Sequence, residues 1–146
     1  MIRAAIVAIA LTATPATAES LYLHTGAWSS HFSSHNYNET HDLVALEYSS
    51  YMTGYFQNSY GEDSVFAAKR WSWDEGHWKA GISLGAVYGY RSCTKGWSHG
   101  ERRLCPMISP SLTYTRYPVQ PSVLVLGNAI AVSVRTDLNW IFGGAK

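Results

Sequence analysis

The stretch Trp78–Tyr90, "WKAGISLGAVYGY", is the part of the chain whose reading decides the fold. Trp78, Ala80, Ile82, Leu84, Ala86, Tyr88 and Tyr90 fall on one face of an extended backbone. Lys79, Gly81, Ser83, Gly85, Val87 and Gly89 fall on the other. Such alternation is the mark of a β-strand, whose successive side chains point to opposite faces. Here bulk lies on one side and almost nothing on its reverse. No segment of the chain has a helical period that could lay helices over such a sheet. The pattern therefore predicts a sheet closed on itself, with large side chains outward and small ones where the interior narrows.

Working outward from this strand, turn signals recur at Asn36 to Thr40, Tyr60-Gly61-Glu62-Asp63, Asp74-Glu75-Gly76, the loop between the cysteines, Pro118 to Pro121 and Gly127-Asn128. Between them lie further strand-like segments: Leu21–Phe32, Leu43–Tyr51, Met52–Ser59, Ser64–Trp73, an extension of the first to Arg91, Met107–Tyr117, Ser122–Leu126 and Ala129–Leu138. The expected fold is all-β, an eight-stranded antiparallel up-and-down β-barrel in a single domain. Ten Tyr, six Trp and four Phe against 14% charged residues agree with a sheet protein.

The opening "MIRAAIVAIALTATPATA" has a basic residue, Arg3, then an apolar run from Ala4 to Leu11, then Ala16-Thr17-Ala18. That order predicts a secretory signal peptide over residues 1–18, leaving 19–146 as the barrel domain. The expected destination is the outer membrane or the periplasm. No apolar run reaches the roughly 20 residues of a spanning helix. Exposed-face candidates suit lipid, and Trp28, Trp71, Trp73, Trp78, Tyr90 and Trp140 lie near strand ends as in the aromatic girdles of membrane barrels. Against this, Leu43–Tyr51, Met52–Ser59 and Ser122–Leu126 are at or below the about 9–11 residues that a tilted spanning strand needs. Lys69, Lys79 and Arg116 would interrupt an apolar band. A membrane barrel and a soluble periplasmic one both remain open from sequence.

A formal charge of +1 offers no basic patch for a phosphate backbone, so no nucleic-acid partner is expected. Cys93 and Cys105 in an exported chain predict a disulfide, worth about 3 kcal/mol for a loop of about a dozen residues. A metal or redox role would bring a further Cys/His set, and only His99 lies close by. His24, His31, His35 and His41 are spaced by 7, 4 and 6 residues, which matches no ligand motif, so neither a metal site nor another cofactor is expected.

The run "WSSHF", then "NYNE", "LEY" and "GYFQNSY", over about Ala27 to Arg91, resembles the lipid A palmitoyltransferase family (PagP), eight-stranded outer-membrane barrels that move an acyl chain from a phospholipid to lipopolysaccharide. It is similar, more closely, to small secreted barrel proteins of phage and bacterial genomes. The palmitoyltransferase pattern has Trp-His, then Tyr-Asn-Glu, then Asp-Ser before an aromatic, with the His, Asp and Ser catalytic. Tyr37-Asn38-Glu39 and Ser59-Tyr60 stand in matching places. Trp28 is followed by Ser29, the nearest histidine is His31, and the Asp position holds Asn58. The resemblance thus implies His31 and Ser59 as catalytic candidates. A hydroxyl nucleophile needs a base, and the base an oriented partner of negative charge. Asn58 cannot carry that charge, so a conventional acyltransferase is not expected.

Glu62 and Asp63 read as solvated carboxylates of a hairpin turn. Asn58, Ser59 and Ser64 lie just inside strand ends, where inward polar groups must be hydrogen-bonded. With Asn38, Glu39 and His31 they predict a polar rim. Arg70 and Arg135 are expected inside the barrel, ion-paired with Glu47 or Glu39. The sequence then supports a small exported barrel with a structural or ligand-binding role. The alternatives are a lipid acyltransferase using Ser59 and His31, and a soluble barrel holding a small apolar ligand. Expected partners are lipid, the outer membrane or such a ligand.

Overall fold

The computed structural model describes residues 20–94 and 100–143. The signal peptide expected at 1–18, and His99, lie outside the described residues. Eight strands follow one another: β1 (Leu21–His31), β2 (Thr40–Tyr48), β3 (Tyr51–Gln57), β4 (Asp63–Glu75), β5 (Trp78–Tyr90), β6 (Arg103–Tyr114), β7 (Val119–Leu126) and β8 (Ala129–Asp137). A short helix, α1 (Leu138–Gly143), ends the described chain. Each strand pairs with the next, and β8 returns to β1, giving a closed antiparallel barrel. The expected fold class is therefore observed.

Boundaries differ where turn chemistry was misread. The β2–β3 turn is Ser49-Ser50, both at positive φ (48° and 73°), two residues earlier than the break at Met52. Pro121 lies within β7 opposite Val134, not in a turn. β6 starts at Arg103, so Cys105 is a strand residue. The helix α1, which ties to β1 through the Leu21 N–H donating to Asn139 Oδ1 (2.7 Å), has no counterpart in the strand pattern expected from sequence.

Two bulges decide which residues face inward. Between Gly26 and Trp28 the register of β1 slips, with Ala27 at φ 123°. The extra residue reverses parity, so that His24 points inward below the bulge, Ser29 and His31 turn inward above it, and Trp28 faces out. A second slip lies between Tyr88 and Tyr90, around Gly89 at φ 137°. It turns Tyr90 from the outer face, where strict alternation placed it, into contact with the core cluster of Phe56, Phe66, Val87 and Met107. A side chain at Gly89 would overlap Ser64 Oγ and sit 2.6 Å from the Asp63 carbonyl oxygen, so this bulge needs glycine.

The outer face of β5 keeps its alternation below the bulge, and Leu84, Ile108, Val123, Ile130 and Val132 are exposed around the wall. Trp71, Trp73, Trp78, Tyr51, Tyr117 and Trp140 are exposed toward the end with the short turns. Of the cations that could break this band, Arg116 and Lys79 sit at its margin, whereas Lys69 is registered with Leu84 and stands within it. Lys69, registered with the first residue of β3, lies over the Tyr51 and Trp71 rings; Arg116 lies over Tyr117; Lys79 pairs with Asp74 at 3.2 Å.

Inside, the ion pairs expected for the arginines are absent among the described residues. Glu47 is held by His24 Nε2 at 2.8 Å, Arg135 donates Nε and Nη2 to Gln120 Oε1 and lies over the Tyr22 ring, and Glu39 is exposed. The amide of Gln120 and the aromatic face offer Arg135 acceptors without a second buried charge. Cys93 and Cys105 form a disulfide across 12 residues. Replacing both by alanine is expected to lower stability by about 3 kcal/mol. A urea midpoint that falls in the variant, and falls equally in the wild type on adding reductant, is the check.

Candidate functional site

The end of the barrel with the long connections holds the polar rim. Asn58 is fully buried, and its side chain is committed to the turn that it starts. Its Oδ1 accepts from the N–H groups of Tyr60 (2.9 Å) and Glu62 (3.1 Å), while its Nδ2 donates to Ser64 Oγ (3.1 Å) and to the Gly89 carbonyl (3.3 Å). Asparagine suits this place because one amide supplies both donor and acceptor. The Asn38 N–H donates to the Ser59 carbonyl at 2.8 Å, and Asn38 Nδ2 donates to the carbonyls of Thr40 (2.6 Å) and Asn58 (3.2 Å). These bonds clamp the Tyr-Asn-Glu corner onto the Asn-Ser-Tyr corner.

The clamp brings His31 to Ser59, with Nε2 and Oγ 2.8 Å apart. The imidazole stacks on Tyr37 at 4.2 Å between centroids, and Tyr37 meets Tyr60 edge-on, which in turn meets Tyr90. His31 Nδ1 is buried and has no hydrogen-bond partner. Asn58 therefore does not orient His31 through a hydrogen bond; the stacked tyrosine holds the ring instead. Of the expected rim, Asn38, Asn58, Ser59, Ser64 and His31 come together. Glu39 contributes its carbonyl, which accepts from the Ser29 N–H at 2.9 Å, while its exposed carboxylate acts on His31 only through space.

Glu62 is no free turn carboxylate. Its Oε1 receives Arg91 Nε (2.8 Å) and Nη2 (2.7 Å), a contact that raises the Arg91 guanidinium further above its ordinary range. Asp63 does stay exposed, accepting the Tyr55 hydroxyl at 2.6 Å. The Tyr60 phenol is raised above its usual value, mainly by burial and secondarily by Tyr37.

Sequence reasoning missed a second serine–histidine contact. His41 Nδ1–H donates to the Gln57 carbonyl at 2.7 Å, and its Nε2 meets Ser29 Oγ at 2.6 Å. Both nitrogens are thus satisfied, and the imidazole ties β1 to β2 and β3. Only the parity reversal at Gly26-Ala27 turns Ser29 inward, and Gly26 is the one signal that could have suggested it.

Two cavities adjoin these groups. A narrow bore of about 100 Å³ runs down the barrel between Ala129 and Leu126 at the rim and Arg70 and His24 near the other end. A cleft of about 520 Å³ opens at the rim and is lined by Tyr37, Tyr60, Tyr90, Pro106, Ile108 and Asn128; Met107 and Leu126 line both. The cleft lies where the wall is unzipped, since β6 and β7 pair only from Ser111 to Thr113. Pro106 and Pro110 have no N–H to give a neighbour, and prolines in strands belong at edges, so the upper half of β6 is left as one. The two prolines were the sequence signal for this gap.

No protein-family model matches the chain, and no curated protein matches it.

Proposed function

We propose that this barrel resides in the outer membrane and transfers or hydrolyses the ester-linked acyl chain of a lipid, with Ser59 as nucleophile and His31 as its base. The observation that carries this reading is the 2.8 Å contact between His31 Nε2 and Ser59 Oγ, next to Tyr37 and Tyr60, whose rings line the lateral cleft. A lipid in the surrounding leaflet reaches the cleft through the gap between β6 and β7 without leaving the apolar phase. The band of Leu84, Ile108, Val123 and Ile130 supports the membrane setting, because soluble monomers rarely expose so continuous an apolar surface.

In the acylation step Ser59 Oγ bonds to the ester carbonyl carbon while its proton passes to His31 Nε2. The carbon–oxygen bond to the glycerol then breaks, and the leaving alkoxide takes that proton. Water or a second hydroxyl reverses the sequence and frees Ser59. Loss of the third member of such a set costs about 10⁴ in rate, so turnover is slow. The aromatic stack on Tyr37 limits this loss by fixing the ring plane.

The test is to fold the protein into phospholipid vesicles whose acyl chains carry a radiolabel and follow released fatty acid or a labelled acceptor over hours. Release above that of protein-free vesicles is expected. Its absence, with the barrel folded, removes the enzymatic reading. A binding role without turnover is the second reading, and the partnerless His31 Nδ1 favours it, because a base that accepts on Nε2 must keep its proton on Nδ1.

A further inference from the structure

At the far end of the bore lies a guanidinium that Glu47 reaches only through space and that lacks acceptors for two of its nitrogens. Arg70 is 5% exposed, and neither its Nε nor its Nη2 has a hydrogen-bond partner. The guanidinium lies over Gly81, where a Cβ would stand 2.9 Å from Nη2, so the missing side chain makes its room. Ser133 is fully buried with a partnerless Oγ, and its residue lines the same cavity as Arg70, Ser83 and Ser109. A guanidinium taken from water without an acceptor is costly, and a fully connected protein avoids it.

The charge balance points the same way. Among the described residues the buried charged groups are two guanidiniums, Arg70 and Arg135, and one carboxylate, Glu47, with His24 beside it. Even with His24 neutral, the interior holds one positive charge in excess. Glu47 gives its hydrogen bond to His24, and Arg135 is held by Gln120 and Tyr22, so the guanidinium left without acceptors on Nε and Nη2 is Arg70. Above it the wall is apolar, with Leu43, Met52, Phe56, Met107 and Leu124. The volume of about 100 Å³ is below the roughly 150 Å³ that admits one benzene ring. That limits the ligand to fewer non-hydrogen atoms than a benzene ring has, a carboxylate carrying an unbranched tail of about two carbons.

We infer that the bore is a binding site for an unbranched monocarboxylate, its carboxylate held in the fork of Arg70 with the Ser133 hydroxyl as a further donor, and its tail pointing toward the rim. The fork geometry matches a carboxylate in two parallel hydrogen bonds, which a water or a halide does not reproduce. The site uses no atom of the His31–Ser59 pair. Because a free carboxylate contains no ester, its binding is read independently of whether Ser59 turns over.

The experiment titrates carboxyl-labelled 13C-propionate and, separately, propanol into the full chain folded in phosphatidylcholine nanodiscs, with the carboxyl resonance and the dissociation constant as readouts. Empty nanodiscs supply the membrane-partition background. Saturable propionate binding at least tenfold tighter than propanol is expected, with a shifted carboxyl resonance. Arg70→Gln should abolish that preference, Arg70→Lys should weaken it by losing the fork, and Ser133→Ala should reduce it several-fold without touching the cation. The Ser133 variant keeps the test valid if Arg70→Gln fails to fold. Equal affinity for propionate and propanol, binding no greater than that of empty nanodiscs, or a preference unaltered in folded Arg70→Gln overturns the inference.

Discussion

Ser59→Ala should abolish covalent labelling of the folded barrel by a long-chain alkyl fluorophosphonate, and His31→Ala should slow it by about 10²–10⁴. The reagent needs a hydroxyl whose proton has somewhere to go, and at the rim Ser59 Oγ has His31 Nε2 at 2.8 Å. Ser29 has a better-oriented histidine, with His41 anchored on the Gln57 carbonyl, but it lines the bore of about 100 Å³, too small for a long-chain reagent. Ser29→Ala should therefore leave labelling intact. Asn58→Asp gives a sharper contrast. If position 58 were the vacant seat of a catalytic carboxylate, the change would raise the rate. The structure puts the Asn58 amide on Ser64 and Gly89, so the aspartate loses two donated hydrogen bonds inside a fully buried turn. The expected result is a less stable barrel with no gain in labelling. Labelling that survives in folded Ser59→Ala, or rises in Asn58→Asp, contradicts the assignment.

Leu84→Arg should cost about 2–4 kcal/mol when the barrel is folded in a bilayer, because a charge on the lipid face near the midplane must be dragged out of hydrocarbon. Leu84 lies midway along β5, on its outer face, opposite Ile108 and 40% exposed. On a solvated wall the same change would fall within roughly 0.5 kcal/mol, since surface substitutions that break no packing are nearly neutral. Urea titrations of wild type and variant in phosphatidylcholine vesicles separate the two outcomes. The partner change Lys69→Leu probes the neighbouring position, since Lys69 is registered with Leu84. Its ammonium already rests on Tyr51 and Trp71, so removing it should alter the bilayer stability far less than Leu84→Arg.

The closed barrel was legible because its cause is local: alternation along Trp78–Tyr88 needs only the two-residue period of an extended chain, and eight such segments with no helical layer leave closure as the way to hide both sheet edges. The disulfide was legible for a similar reason, as two cysteines allow one pairing. The meeting of the Tyr-Asn-Glu and Asn-Ser-Tyr corners followed from up-and-down order, which puts the connections after β1 and β3 at one end. What each residue does there was not legible. A single inserted residue at Gly26-Ala27 reverses every inward face above it, and another around Gly89 swings Tyr90 inside. Such slips follow from the balance of a whole ladder of pairings, not from any short stretch. Asn58 reads by position as a catalytic slot, and only the backbone around it makes it a turn brace. Likewise the arginines could be assigned to the interior from sequence, but which of them finds an acceptor depends on atoms brought together across the barrel. Gln120 reaches Arg135 and nothing reaches the Arg70 Nε, because partners in a closed sheet are set by register and radius, quantities that exist only once the cylinder has formed.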